Sequence, residues 1–158
     1  MANSTFHLQT PIGWLRITDN GHAITHIIHA HPHAGVADPP TTPLQLLVCQ
    51  QINAYFQEQL HVWDVPIEPH GTVFQLRVWN ALCAIPYGQT RSYSDIAQSI
   101  GQPQAARAVG NACRHNPILL LIPCHRVIGK NHQPTGFAAG LDNKRTLLQM
   151  EQQFVVAI

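Results

Sequence analysis

Five consecutive aliphatic residues, Ile118-Leu119-Leu120-Leu121-Ile122, run directly into Pro123-Cys124-His125-Arg126-Val127. So apolar a run has to be buried, and Cys124 is therefore delivered at the edge of a core, next to two residues able to carry positive charge. The surroundings decide what such a thiol does. In wholly apolar company it is an inert small hydrophobe; beside cationic or hydrogen-bonding groups it can be held as thiolate, the nucleophilic form. Any fold for this chain must put that segment inside and that cysteine where its neighbours can act on it.

At 158 residues the chain accommodates one domain or two small ones, with a real core. With 45% apolar and 11% charged residues, it is not of disordered composition. No apolar run reaches the length of a membrane span, and Met1-Ala2-Asn3-Ser4 begins no signal peptide, so a cytoplasmic protein without membrane contact is expected. Cys49, Cys83, Cys113 and Cys124 show no CxxC pairing and read as free thiols. Residues 1–73 hold one arginine against five acids; residues 74–158 hold eight Lys and Arg against three acids. Between Asp95 and Asp142 there is no acid, while Arg107, Arg114, Arg126 and Lys130 lie in that gap. A basic half with an acid-free centre suits a polyanion, although an ordinary solvated surface has the same composition.

Residues 5–28 read as strands. Thr10-Pro11-Ile12-Gly13 and Asp19-Asn20-Gly21 are turns between alternating β-branched segments, the pattern of antiparallel pairing. His26, His29, His31 and His33 crowd the start of a loop that runs to Pro40; no cysteine joins them, so no specific metal site and no cofactor is expected, and whether the loop binds a metal stays open. Thr42-Pro43-Leu44-Gln45 opens a helix with a capping box, and Leu44, Val48, Ile52, Tyr55 and Phe56 share its apolar face. Val62 to Pro66 reads as a short extended piece. Glu68-Pro69-His70-Gly71 is the linker candidate, dividing residues 1–70, an α+β supporting domain, from a mostly helical domain over 71–158.

In the second half, Thr72-Val73-Phe74-Gln75 repeats the capping box, with Phe74, Val78 and Leu82 at i, i+4 and i+8 and Trp79 beside them. Ser92-Tyr93-Ser94-Asp95 starts another helix, Gly101-Gln102-Pro103 turns the chain, and Gln104 to Ala112 forms the next: a helix-turn-helix pattern. Its second helix sets a single cation, Arg107, among Ala105, Ala106, Ala108 and Gly110. Small residues allow close approach to a narrow groove, and one long side chain can enter a base stack; tight helix packing explains Val109 and part of the alanine content. Leu141 to Phe154 reads as a closing helix, with Leu141, Leu148 and Glu151 on one side.

Pro123-Cys124-His125-Arg126-Val127, with Asn116-Pro117 upstream, resembles the active-site signature of the O6-alkylguanine-DNA alkyltransferases, and the likeness runs from about Thr72 to Glu151. It extends more weakly over the N-terminal half, including the Pro11-Ile12-Gly13 turn. The resemblance implies an α+β fold: a small ribonuclease H-like N-terminal domain and a helical C-terminal domain with a winged-helix-like helix-turn-helix. It implies irreversible, stoichiometric transfer of the alkyl group from O6-alkylguanine in double-stranded DNA to Cys124, with minor-groove binding and base flipping by a monomer. Cooperative binding, preferred alkyl size and action on O4-alkylthymine stay open.

Residue by residue, the resemblance assigns the catalytic roles as follows. His125 reaches Cys124 through a water and Glu151 orients His125. If the backbone at Cys124-His125 is extended, the two side chains face opposite ways, so direct pairing is not guaranteed; the relay would lower the thiol pKa. Tyr93 donates to the flipped guanine and Asn116 braces the active-site turn. Arg107 fills the gap left by the extruded base, with Ala105, Ala106, Ala108, Gly110 and Arg114 also facing DNA. Val127 and Cys124 offer backbone carbonyls to the guanine amino group. Gly136 to Leu141 is the binding loop, which makes Phe137, Ala138 and Ala139 pocket residues. Phe137 stands where several relatives have tyrosine, Ala138 removes a serine hydroxyl, and Ala139 replaces a common glycine, narrowing the pocket. The N-terminal zinc cysteines of some relatives have no counterpart, since Cys49 is the first cysteine.

Three other readings compete with alkyl transfer. A non-catalytic alkylguanine-binding protein of the same architecture would lack the cysteine. A Cys-His-Glu thiol hydrolase would need a deacylating water and no helix-turn-helix. A transcription regulator would need base-reading side chains on its second helix.

Overall fold

The computed structural model describes residues 3–31, 39–129, 136–137 and 139–156. The two N-terminal turns produce an antiparallel meander of β1 (Ser4–Thr10), β2 (Gly13–Asp19) and β3 (Ile24–His29), in that spatial order. Strand alternation puts Phe6, Leu15 and Ile17 on the buried side, with Phe6 opposite Ile17, and the register shift at Thr18/Asp19 lets Ile24 and Ile27, three residues apart, both be buried. Gly13 is demanded twice: its φ is +103°, and a Cβ there would lie 2.7 Å from Nε2 of His29. That His29 nitrogen is hydrogen-bonded to the Ile12 carbonyl at 2.9 Å.

The outer edge of β3 is covered at two points by backbone from far along the chain. Ile24 donates to Pro66 O and accepts from Glu68 N, both at 2.9 Å. Ile27 donates to Pro117 O and accepts from Leu119 N, also both at 2.9 Å. The stretch expected to be extended, Val62 to Pro66, forms no strand; only the next residue, Ile67, makes an isolated bridge to Ile24. Helix α1 (Pro43–Phe56) opens with the Thr42–Gln45 capping box. Gln45 is buried and also donates to Asp19 Oδ2 at 3.1 Å, so a single side chain caps the helix and satisfies a buried carboxylate.

The chain divides into two units: Met1–His70 with Pro117–Leu119, and Gly71–Asn116 with Leu120–Ile158. In the second unit, α2 (Val73–Cys83) carries the Thr72–Gln75 capping box and buries Val78, Trp79 and Leu82, with Phe74 only half-buried. A two-residue strand β4 (Arg91–Ser92) leads into α3 (Tyr93–Ser99), where Ser92 and Asp95 cap each other. Gly101, at φ +77°, ends α3: its N–H bonds to Gln98 O and that of Gln102 to Ala97 O, the paired closure of a left-handed helix stop. The following helix, α4, covers Ala106–Arg114, starting two residues later than expected because Gln102 to Ala105 first close a turn. Trp79 Nε1 donates to Ala112 O at 2.9 Å and ties α4 to α2.

The aliphatic run is buried throughout, but as turns, with Leu120 at φ +72°. It delivers a single 3-10 turn at Cys124–Arg126, followed by β5 (Val127–Ile128), which pairs in parallel with β4. The closing helix α5 (Leu141–Val156) buries Lys144, Leu147, Leu148 and Glu151; Leu141, expected on that face, is 37% exposed. Among the described residues no helix is long and apolar enough to cross a membrane.

Candidate active site

At Cys124-His125 the backbone is a 3-10 turn, not the extended form in which the two side chains would face opposite ways. Its closing bond runs from the Val127 N–H to the Cys124 carbonyl. In a turn this tight, Cys124, His125 and Arg126 are all buried, at 5%, 0% and 4% exposure. His125 Nε2 lies 2.7 Å from Glu151 Oε2. Arg126 donates from Nε to Glu151 Oε1 at 2.7 Å, from Nη2 to Oε2 at 3.2 Å, and from Nη1 to the Ile85 carbonyl at 2.8 Å. Its guanidinium also lies over the Tyr87 ring, 5.6 Å from the centroid. Arg126 therefore balances a buried carboxylate and does not belong to the cationic surface that the acid-free gap suggested.

The protonation states follow from this packing. Burial opposes ionisation of Glu151, but His125 and Arg126 outweigh it and hold the carboxylate at about 2. Burial lowers the pKa of His125 despite Glu151, so the ring is neutral. Its Nε2–H donates to Glu151, which leaves Nδ1 as the basic nitrogen; Nδ1 has no hydrogen-bond partner among the described residues. Burial raises the pKa of Cys124, opposed by the hydrogen bond from Asn116 and the charge of Lys144, so the resting thiol is protonated. Asn116, buried, also donates from Nδ2 to Ile122 O at 2.7 Å, bracing the loop that holds the cysteine.

Cys124 opens into a cavity of about 470 Å3, whose walls include Tyr93, Ala106, Arg107, Gly110, Arg114 and Phe137. The β4–β5 pairing sets Tyr93 there: Ser92 is opposite Ile128, and Tyr93 is the first residue of α3. A Cβ at Gly110 would meet the Tyr93 ring at 3.7 Å, an ordinary contact. Arg107 and Arg114 are exposed. Ala105, Ala108 and the buried Ala139 do not line the cavity, and Ala138 lies outside the described residues, as do His33 and Lys130. Val127 is fully buried and its carbonyl accepts from Lys144 Nζ at 2.7 Å. Both carbonyls assigned to the guanine amino group thus already accept one hydrogen bond each, and each keeps a second lone pair.

Sequence reasoning missed three residues. Lys144, 1% exposed, carries a charge that favours ionisation of Cys124 and of Cys113. Its position seven residues before Glu151, beside Leu147 and Leu148, marked it as facing inward. Arg126 sits inside an otherwise apolar stretch, itself a sign of a buried partner. Cys113 lines the cavity, and its place four residues after Val109 put it on the buried face of α4.

Fold and site together define a protein with a buried thiol on a cavity, a histidine next to it in the chain paired with a buried carboxylate, and the α3–α4 helix pair lining the same cavity. Residues 73–153 match the family described as 6-O-methylguanine DNA methyltransferase, DNA binding domain. The methylated-DNA–protein-cysteine methyltransferase of Mycobacterium tuberculosis is 42% identical over 156 residues, covering 92% of this chain and 90% of the relative. The inducible one of Bacillus subtilis is 53% identical over 103 residues, 65% of this chain and 58% of its own length. The crystal structure of M. tuberculosis OGT in complex with DNA superposes with a TM-score of 0.86 at 42% identity, covering 94% of this chain and 92% of that one. The chain belongs to the 6-O-methylguanine DNA methyltransferase family.

Proposed function

We propose that this protein repairs DNA by direct reversal, moving the alkyl group of O6-alkylguanine in double-stranded DNA onto Cys124 once and irreversibly. The observation that carries the reading is a buried thiol that opens into the cavity and is bonded by Asn116, next in the chain to a histidine held by Glu151. Neutral His125 takes the thiol proton at Nδ1 through a water, while ionised Glu151 steadies the imidazolium that results. The thiolate attacks the alkyl carbon; the S–C bond forms as the C–O bond breaks, and guanine leaves with its electron pair. Tyr93 donates a proton or hydrogen bond to that leaving group. The thioether has no sulfur leaving path, so the protein is consumed.

Residues 71–158 carry the reaction, with a winged-helix-like α3–α4 pair, and residues 1–70 are a ribonuclease H-like support. Arg107 enters the base stack from the minor groove when the damaged base is extruded, beside Ala105, Ala106, Ala108 and Gly110, with Arg114 on phosphate. Phe137, Ala138, Ala139 and the Val127 and Cys124 carbonyls hold the flipped base. The protein acts as a cytoplasmic monomer without a cofactor. Intact-mass measurement after mixing with excess O6-methylguanine duplex tests this: the expected result is a gain of one methyl per chain, on Cys124, and no more. Turnover beyond one equivalent, or methyl on Cys49, Cys83 or Cys113, overturns it; binding without any gain points to lesion recognition alone.

A further inference from the structure

We propose that Cys113 is a resolving thiol for Cys124, so that a peroxide-class oxidant converts the pair into a disulfide that closes the site until a thiol reductant reopens it. Two cysteines line the one cavity, and both are buried, Cys113 at 9% and Cys124 at 5% exposure. A single residue connects the segments that carry them. The Asn116 backbone N–H donates to the Cys113 carbonyl at 3.2 Å, while the Asn116 side chain bonds the Cys124 thiol and the Ile122 carbonyl. The Lys144 charge favours ionisation of both. Cys49 sits in the other unit and Cys83 is exposed on α2; neither lines the cavity.

The chemistry balances as a single two-electron oxidation by one peroxide, followed by a condensation that uses no further oxidant. The Cys124 thiolate attacks a peroxide oxygen; an S–O bond forms, the O–O bond breaks, and hydroxide leaves and is protonated to water, giving the sulfenic acid. Cys113 then attacks that sulfur; an S–S bond forms, the S–O bond breaks, and the departing hydroxide takes the Cys113 proton as a second water. Two thiols are oxidised and one peroxide is reduced. The order follows from the site. Burial first, then any negative charge on Cys124, oppose ionisation of Cys113 and push its pKa up to about 12. Conversion of Cys124 to a neutral sulfenic acid removes that second opposition and leaves Lys144 to favour the Cys113 thiolate. The consequence is protective: a cysteine that can be spent only once on alkyl transfer is diverted from the irreversible sulfinic acid.

This goes beyond the transfer reading, because disulfide formation is read by mass whether or not the protein moves an alkyl group. The full chain, free of DNA and reductant, is treated with hydrogen peroxide, digested without reduction and mapped by mass spectrometry. The expected product is a Cys113–Cys124 linked peptide, with loss of methyl transfer that dithiothreitol restores. Cys113→Ser and Cys113→Ala, each compared with its own untreated rate, should instead drive Cys124 to sulfinic acid and stay inactive after dithiothreitol. Wild-type Cys124 reaching sulfinic acid without the linked peptide overturns the proposal, as does recovery of the Cys113 variants to the wild-type extent.

Discussion

Glu151→Gln removes a charge and almost no volume, and it isolates what the buried carboxylate does. Glu151 is 1% exposed and accepts from both His125 and Arg126. Those partners hold its pKa at about 2 against an ordinary 4.5. A displacement of that size corresponds to about 3 kcal/mol in favour of the ionised carboxylate in the native state. The usual cost of removing one partner from a buried pair, about 3–5 kcal/mol, agrees with it. Arg126 is then left charged at 4% exposure, without a carboxylate partner. We expect the urea midpoint at neutral pH to fall by the equivalent of about 3 kcal/mol with an unchanged slope. The folded pKa is depressed, so this stabilisation is complete above about 4.5 and fades as pH falls through about 2. The gap between wild type and variant should narrow across that window. Adding Arg126→Met to Glu151→Gln should cost less than the sum of the single losses, because the stranded charge goes with it. A neutral-pH loss under about 1 kcal/mol, the value of a solvent-exposed pair, would refute the reasoning, and so would a gap that does not change with pH.

Arg107→Ala should slow repair of duplex DNA by about tenfold more than reaction with a free O6-benzylguanine-type base, since only the duplex needs a base extruded; equal losses would exclude a role in flipping. Tyr93→Phe should lower the single-turnover methyl-transfer rate while the Kd for methylated duplex stays within about twofold, because the hydroxyl acts on charge that develops only as guanine leaves. Lys144→Met should move the midpoint of the pH–rate profile for Cys124 alkylation upward, because the lysine charge favours the thiolate. An unmoved midpoint would show that Lys144 serves only to hold the Val127 carbonyl.

The site was only partly legible in the sequence, and the reasons are specific. Thr42, Thr72 and Ser92 mark their helix starts because capping is a bond between residues three apart. The same locality made the meander and the Gly101 stop readable. The backbone at Cys124-His125 was left open because a 3-10 turn after Pro123 is held by bonds to Ile122 and Pro123 that leave no trace in residue type. Arg126 was counted as surface charge for the same kind of reason: its partner is 25 residues away, on another helix.

The order of the residues alone determined the local elements, the burial of Ile118 to Ile122 and the chemical inventory of one activatable thiol, one imidazole and one carboxylate. Those properties depend on neighbours within a helical turn or on transfer from water, both of which residue identity sets. Only the tertiary structure decided which charges meet in the interior. The pairing of Arg126 and His125 with Glu151, the approach of Lys144 to Val127 and the sharing of a cavity by Cys113 and Cys124 all join distant segments. Burial then shifts the balance between charged and neutral forms, and it keeps the Cys124 thiol protonated at rest.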